Sequence, residues 1–156
     1  MIIQSCLVLI VLALVCQTNL PPSPAAPADC LSDADKSRLS AETGIEKRIK
    51  ISKEISDRFH KAVEQAEKKQ LSREVAALLA CWGTHLTASL KDVEAYINRK
   101  KRSGALKDFE IQLRKSIRDM EGSRLKAPPQ DSPLYDAWLD QANRVRDKFV
   151  DILFQR

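Results

Sequence analysis

The chain has 156 residues, enough for one domain with a proper core and too few for two of ordinary size. Four glycines and 5% aromatic residues, set against 30% charged residues, exclude most β architectures, because strands draw on β-branched and aromatic residues and their turns on glycine. The net charge of +5 comes from both signs interspersed along the chain, without the basic stripe and interleaved aromatics of a nucleic-acid binder, so no nucleic-acid partner is expected.

The first charged side chain is Asp29. Before it, Leu7 to Val15 is an unbroken apolar run of nine residues, about half of the ~18–20 needed to span a bilayer. Residues 1–16 therefore read as a signal peptide, or as a lipoprotein signal that leaves Cys16 lipidated, although Val15 stands where a small residue is usual. Residues 17–30, rich in Pro and Ala, read as a disordered tether. Residues 31–156 then form the single folded domain of a bacterial, extracytoplasmic product, periplasmic or secreted, and membrane-anchored if lipidated.

From there the apolar residues recur at helical spacing. Ile45, Ile49, Ile55, Phe59 and Val63 share one face, and Ser32 with Asp35 supplies an N-terminal cap, which predicts one long helix over 33–69. Thr43-Gly44-Ile45-Glu46 repeats the capping pattern and marks a place where that helix could restart. The clearest stripe follows: Val75, Leu79, Trp82, Leu86, Leu90 and Val93 predict a helix over 72–101. Leu106, Phe109, Leu113, Ile117 and Met120 predict a third over 105–122, with Gly122 as its stop. Asp131-Ser132-Pro133 opens a fourth over 132–155. The expected fold is all-α: an elongated antiparallel bundle of four helices, with coiled-coil-like packing and the first two as a long hairpin that projects beyond the shorter pair or bends.

The stretch Ala80-Cys81-Trp82-Gly83-Thr84-His85-Leu86 gathers the chemically interesting residue types. On the wheel Trp82 turns inward, Cys81 and His85 fall toward the flank, and Gly83 and Thr84 point away. Cys81 and His85, four apart, could grip one metal ion with His60 as a third ligand, but a free thiol beside a flank histidine is the simpler expectation. A Cys30–Cys81 disulfide is disfavoured, because the hairpin sets Cys81 opposite position 60 while Cys30, ahead of the start of that helix, lies tens of ångströms along its axis from there. Two free thiols, or an intermolecular bond through Cys30, are expected instead. No haem-attachment motif, carboxylate-bridged metal motif, phosphate loop or nucleophile elbow occurs, so neither a cofactor nor an enzymatic activity is expected.

Arg99, Lys100, Lys101 and Arg102 form a run at the end of the second predicted helix, with Lys107 nearby. A helix C-terminus favours cations, which accounts for part of the run. The rest suits an anionic membrane or an acidic envelope polymer. The expectation is an exported or membrane-tethered binding or structural module, whose partner is such a surface or another protein. The alternatives are a periplasmic metal- or haem-binding bundle and a peripheral membrane protein that uses the basic turn.

Overall fold

The computed structural model describes residues 30–154; the expected signal segment, the tether up to residue 29 and the lipidation point Cys16 lie outside them. Among the described residues every regular element is a helix: α1 (Asp33–Ala41), α2 (Ile45–Lys68), α3 (Ser72–Tyr96), α4 (Gly104–Lys126) and α5 (Ser132–Phe154).

The single long helix expected over 33–69 is two helices. Glu42 and Gly44 are both extended, and the Glu42 carboxylate accepts the Gly44 N–H at 3.0 Å, so the chain turns back on itself there. Arg48 holds the corner. Its guanidinium donates to the carbonyls of Leu39 at 2.9 Å and Glu42 at 3.4 Å, which a helix end leaves without partners, and also pairs with Asp92 of α3. Asp35 pairs with Arg58 at 2.6 Å and Arg38 with Glu54 at 2.7 Å, so α1 lies antiparallel on the outside of α2. Segment 33–41 is too polar to hold an apolar stripe of its own, and the stripe that drives burial begins only at Ile45.

The other four helices form the bundle. Their lengths of 24, 25, 23 and 23 residues give matched rods of about 35 Å, so the projecting hairpin expected from unequal lengths is not formed. α4 runs straight through Gly122 and ends only where Pro128 forces Ala127 into an extended conformation. α3 stops at Tyr96, five residues short of the expected boundary, because Ile97 is already extended.

Neighbour relations around the bundle also differ from a simple antiparallel arrangement. α2 and α3 are antiparallel, as are α4 and α5, but α2 packs beside α4 and α3 beside α5 in parallel. The parallel register is explicit: His60 meets Ser116 and Glu67 meets Ser123, the same offset one helix segment apart. α3 and α4 thus face each other across a diagonal, joined by the loop 97–103 over one end of the bundle. At the other end α2 closes with a Schellman turn, in which Gln70 takes the left-handed conformation (φ 56°) and the Leu71 N–H reaches the Ala66 carbonyl at 3.0 Å. The core runs along the bundle axis through Trp82, Leu86, Phe109, Leu113, Met120 and Phe149, all fully buried.

Candidate functional site

Trp82 is the hub of the bundle's middle. Its ring is 0% exposed, its Nε1 donates to Ser56 Oγ at 2.8 Å, and it stacks on His60 at 5.5 Å and tilts against Trp138 at 4.3 Å. These contacts put position 82 opposite positions 56 to 60, the hairpin register expected from the sequence.

Its neighbours in sequence are buried as well, contrary to their expected place on a flank. Cys81 is bonded to Cys30, with Cα atoms 5.0 Å apart. The expectation of free thiols is overturned without disturbing the hairpin register, because the fold-back of α1 carries Cys30 along α2 to the level of Cys81. His85 donates from Nε2 to the Ser52 carbonyl at 2.9 Å, linking α3 to α2. Burial holds the His85 imidazole below its usual pKa, opposed only in part by that hydrogen bond. Gly83 faces α5 and not solvent: Gln141 donates to its carbonyl at 2.9 Å and to Thr87 Oγ1 at 2.6 Å, and a Cβ at Gly83 would collide with the Gln141 amide. Thr84 is exposed, as expected.

These placements dismantle the ligand set Cys81, His85 and His60. The Cys81 sulfur is in a disulfide and offers no thiolate, and the His85 nitrogen is committed to a carbonyl. His60 turns toward α4, where Ser116 meets its Nδ1 at 3.1 Å and Asp119 approaches its Nε2, as does Glu64 from α2 itself. The pair His60–Glu64, four apart on α2, was visible in the sequence as a one-face pair; Asp119 was not, because only the parallel packing of α4 on α2 brings it there.

α1 also contributes polar groups to this layer. Burial alone would raise the Asp35 carboxyl, but the Ser32 hydroxyl and the Arg58 guanidinium outweigh it and hold the group below the usual carboxylate range. Burial and the Glu67 carboxylate push the Tyr135 hydroxyl well above its ordinary value, keeping it a donor to Glu67 at 2.8 Å.

The second candidate lies at the end spanned by loop 97–103. Asn98 shapes the loop, accepting the Lys100 N–H on its side chain and the Lys101 N–H on its carbonyl, both at 3.0 Å. Ser103 then caps α4 by accepting the Leu106 N–H at 3.0 Å. Arg99, Lys100, Lys101 and Arg102 are exposed, beyond the last turn of α3 and just ahead of the N-terminus of α4. The last turn of α3 holds no basic residue, so dipole complementation does not account for the run; cations preceding a helix N-terminus meet its positive end instead.

Beneath these cations is an open cleft of about 630 Å³, floored by Ile97, Leu106, Ile152, Leu153 and the largely exposed Phe154. A second hollow of about 520 Å³ continues past Arg102 and Lys107 to Ile111 and Val150, flanked by Arg114 and Arg146. The basic run was legible in the sequence, whereas the part of the apolar floor that comes from α5 required the tertiary fold. No family model, curated protein or solved structure matches this chain.

Proposed function

We propose that the chain is an exported bacterial helical-bundle protein that acts as a binding module at the cell envelope, its α3–α4 end engaging an anionic phospholipid surface. The observation that carries this reading is the apolar cleft floored by Ile97, Ile152 and Phe154 beneath the cations of loop 97–103. An anionic lipid offers both complements: a phosphate for the cations and hydrocarbon for the floor. Each Lys or Arg near an anionic leaflet contributes about 1 kcal/mol, so four cations in one loop supply useful affinity without a deep pocket.

Export is supported by the Cys30–Cys81 disulfide, since cytosolic thiols are kept reduced, and by the apolar run Leu7 to Val15. Lipidation at Cys16, followed by the Pro/Ala-rich tether, would hold the bundle near a bilayer and raise its effective concentration there. A binding role, not a catalytic one, fits a chain in which Ser56, His85, Gln141 and the Cys30–Cys81 pair at the bundle's middle are engaged in holding helices together.

Co-sedimentation of the disulfide-bonded bundle, lacking residues 1–29, tests this reading. The bundle is expected to pellet with vesicles of phosphatidylglycerol and phosphatidylcholine, to stay in solution with phosphatidylcholine alone, and to lose binding as salt shortens the Debye length from about 10 Å to about 3 Å. Equal partition onto both vesicle types, or onto neither, would contradict it.

A further inference from the structure

Outside the basic end, the imidazole of His60 is one of the side chains that bury a polar atom without a hydrogen-bond partner, together with Gln112 and Trp138, and the one whose unpartnered atom can ligate a metal ion. The residue is only 8% exposed, and its Nε2 is buried with no hydrogen-bond partner. That nitrogen is nevertheless aimed between two carboxylates, Glu64 at 3.7 Å and Asp119 at 3.4 Å. The three ligand atoms lie within 4.8 Å of one another. A buried imidazole nitrogen left unpaired costs stability unless something occupies the gap.

We propose that His60, Glu64 and Asp119 form a binding site for a divalent transition-metal ion, zinc by preference, with a fourth position open to solvent. Metal–ligand bonds of about 2.0–2.2 Å in a tetrahedron place neighbouring ligand atoms about 3.3 Å apart, close to the two separations from His60. An imidazole with two carboxylates suits zinc and its first-row neighbours, and its nitrogen disfavours magnesium and calcium, which take oxygen ligands.

The protein organises the imidazole before any ion arrives. Trp82 stacks on one face of the ring, and Nδ1 is bonded to Ser116 Oγ, which also accepts from Gln112. With Nδ1–H donating to that oxygen, Nε2 presents its lone pair to the gap, the arrangement that outer-shell partners impose on metal-binding histidines. Glu64 and Asp119 are 46% and 39% exposed at their side chains, free to close on an ion and open to its entry from solvent. Glu64 comes from the same helix as His60, four residues on, and Asp119 from the parallel neighbour, so a bound ion would tie α2 to α4.

The test uses the chain with its disulfide intact, titrated with Zn²⁺ by calorimetry and with Co²⁺ by absorption and tryptophan emission. The expected result is one equivalent of either ion, a visible Co²⁺ band, and quenching of emission from Trp82 beside the site. Asp119→Asn and Glu64→Gln alter half-exposed side chains and should leave the helical circular dichroism unchanged, and each should weaken Zn²⁺ at least tenfold. Ser116→Ala should weaken it by roughly tenfold through the loss of imidazole orientation. Millimolar Mg²⁺ should not compete. Absence of Zn²⁺ binding at micromolar concentration, or binding unchanged in both carboxylate variants, would overturn the proposal.

Discussion

Around Trp82 three polar contacts are turned onto the protein itself: Ser56 takes the indole N–H, His85 bridges to the Ser52 carbonyl, and Cys81 is tied to Cys30. At the α3–α4 end, Lys100, Lys101 and Arg102 face solvent over an apolar cleft, and their charges do nothing for the helices that flank them. Both stretches look reactive when written out as sequence. The helix separates the first into buried contacts on several neighbours, while the loop keeps the second together on one surface. Stability is therefore expected to depend on the middle of the bundle, and recognition on its end.

Crossed substitutions sharpen that contrast. The largest effect is expected for Trp82→Ala, which removes the central ring and leaves Ser56 without its partner; a loss of ~3–5 kcal/mol should appear as a shifted urea midpoint, with vesicle binding unchanged below the transition. Replacing Cys30 and Cys81 together by Ser frees a loop of 51 residues' separation, and should cost about 2–4 kcal/mol by the same assay. A mass-checked reduced sample that unfolds at the same urea concentration would show that the bond does not constrain the fold.

A smaller effect concerns pH. His85 resists protonation in the folded bundle, whereas in the unfolded chain it titrates near 6.5. The unfolded state therefore binds more protons below that pH, and stability should be complete above it and decline as pH falls toward the depressed folded value. His85→Leu should flatten the decline between pH 7.5 and 5.5; an unaltered slope would assign it to another group. Smallest in stability, and largest in binding, is Lys100→Glu combined with Lys101→Glu. The unfolding free energy should change by no more than about 0.5 kcal/mol, while affinity for anionic vesicles drops more than tenfold.

Which parts could be read before the fold was known follows from the range of each interaction. The stripes through Val75–Val93 and Leu106–Met120 are local, and they place α3 and α4 within a few residues. The break at Gly44 had its local sign in Thr43-Gly44-Ile45-Glu46, but a cap pattern inside a periodic segment does not distinguish a kink from a reversal. Arg48 decides it by reaching back to Leu39 and across to Asp92. The disulfide was hidden for the same reason: a continuous helix puts Cys30 far from Cys81, and the reversal brings it back. The meeting of His60 with Asp119 rests on α4 packing parallel to α2, a ring order that hydrophobic periodicity does not encode. The basic run was visible as composition, but Ile152, Leu153 and Phe154, which join Ile97 and Leu106 in its apolar floor, come from α5, more than forty residues further along.

The fold-back of α1 onto α2, locked by the Cys30–Cys81 bond, underlies both the buried middle and the proposal of an oxidising compartment. Its most direct test is a peptide map of the alkylated protein, recovered from the producing cells with residues 1–29 encoded and digested without reductant. The expected result is a Cys30 peptide joined to a Cys81 peptide within one chain and separable by reductant. Recovery of both cysteines in alkylated, unlinked peptides would contradict the fold-back and the export reading together.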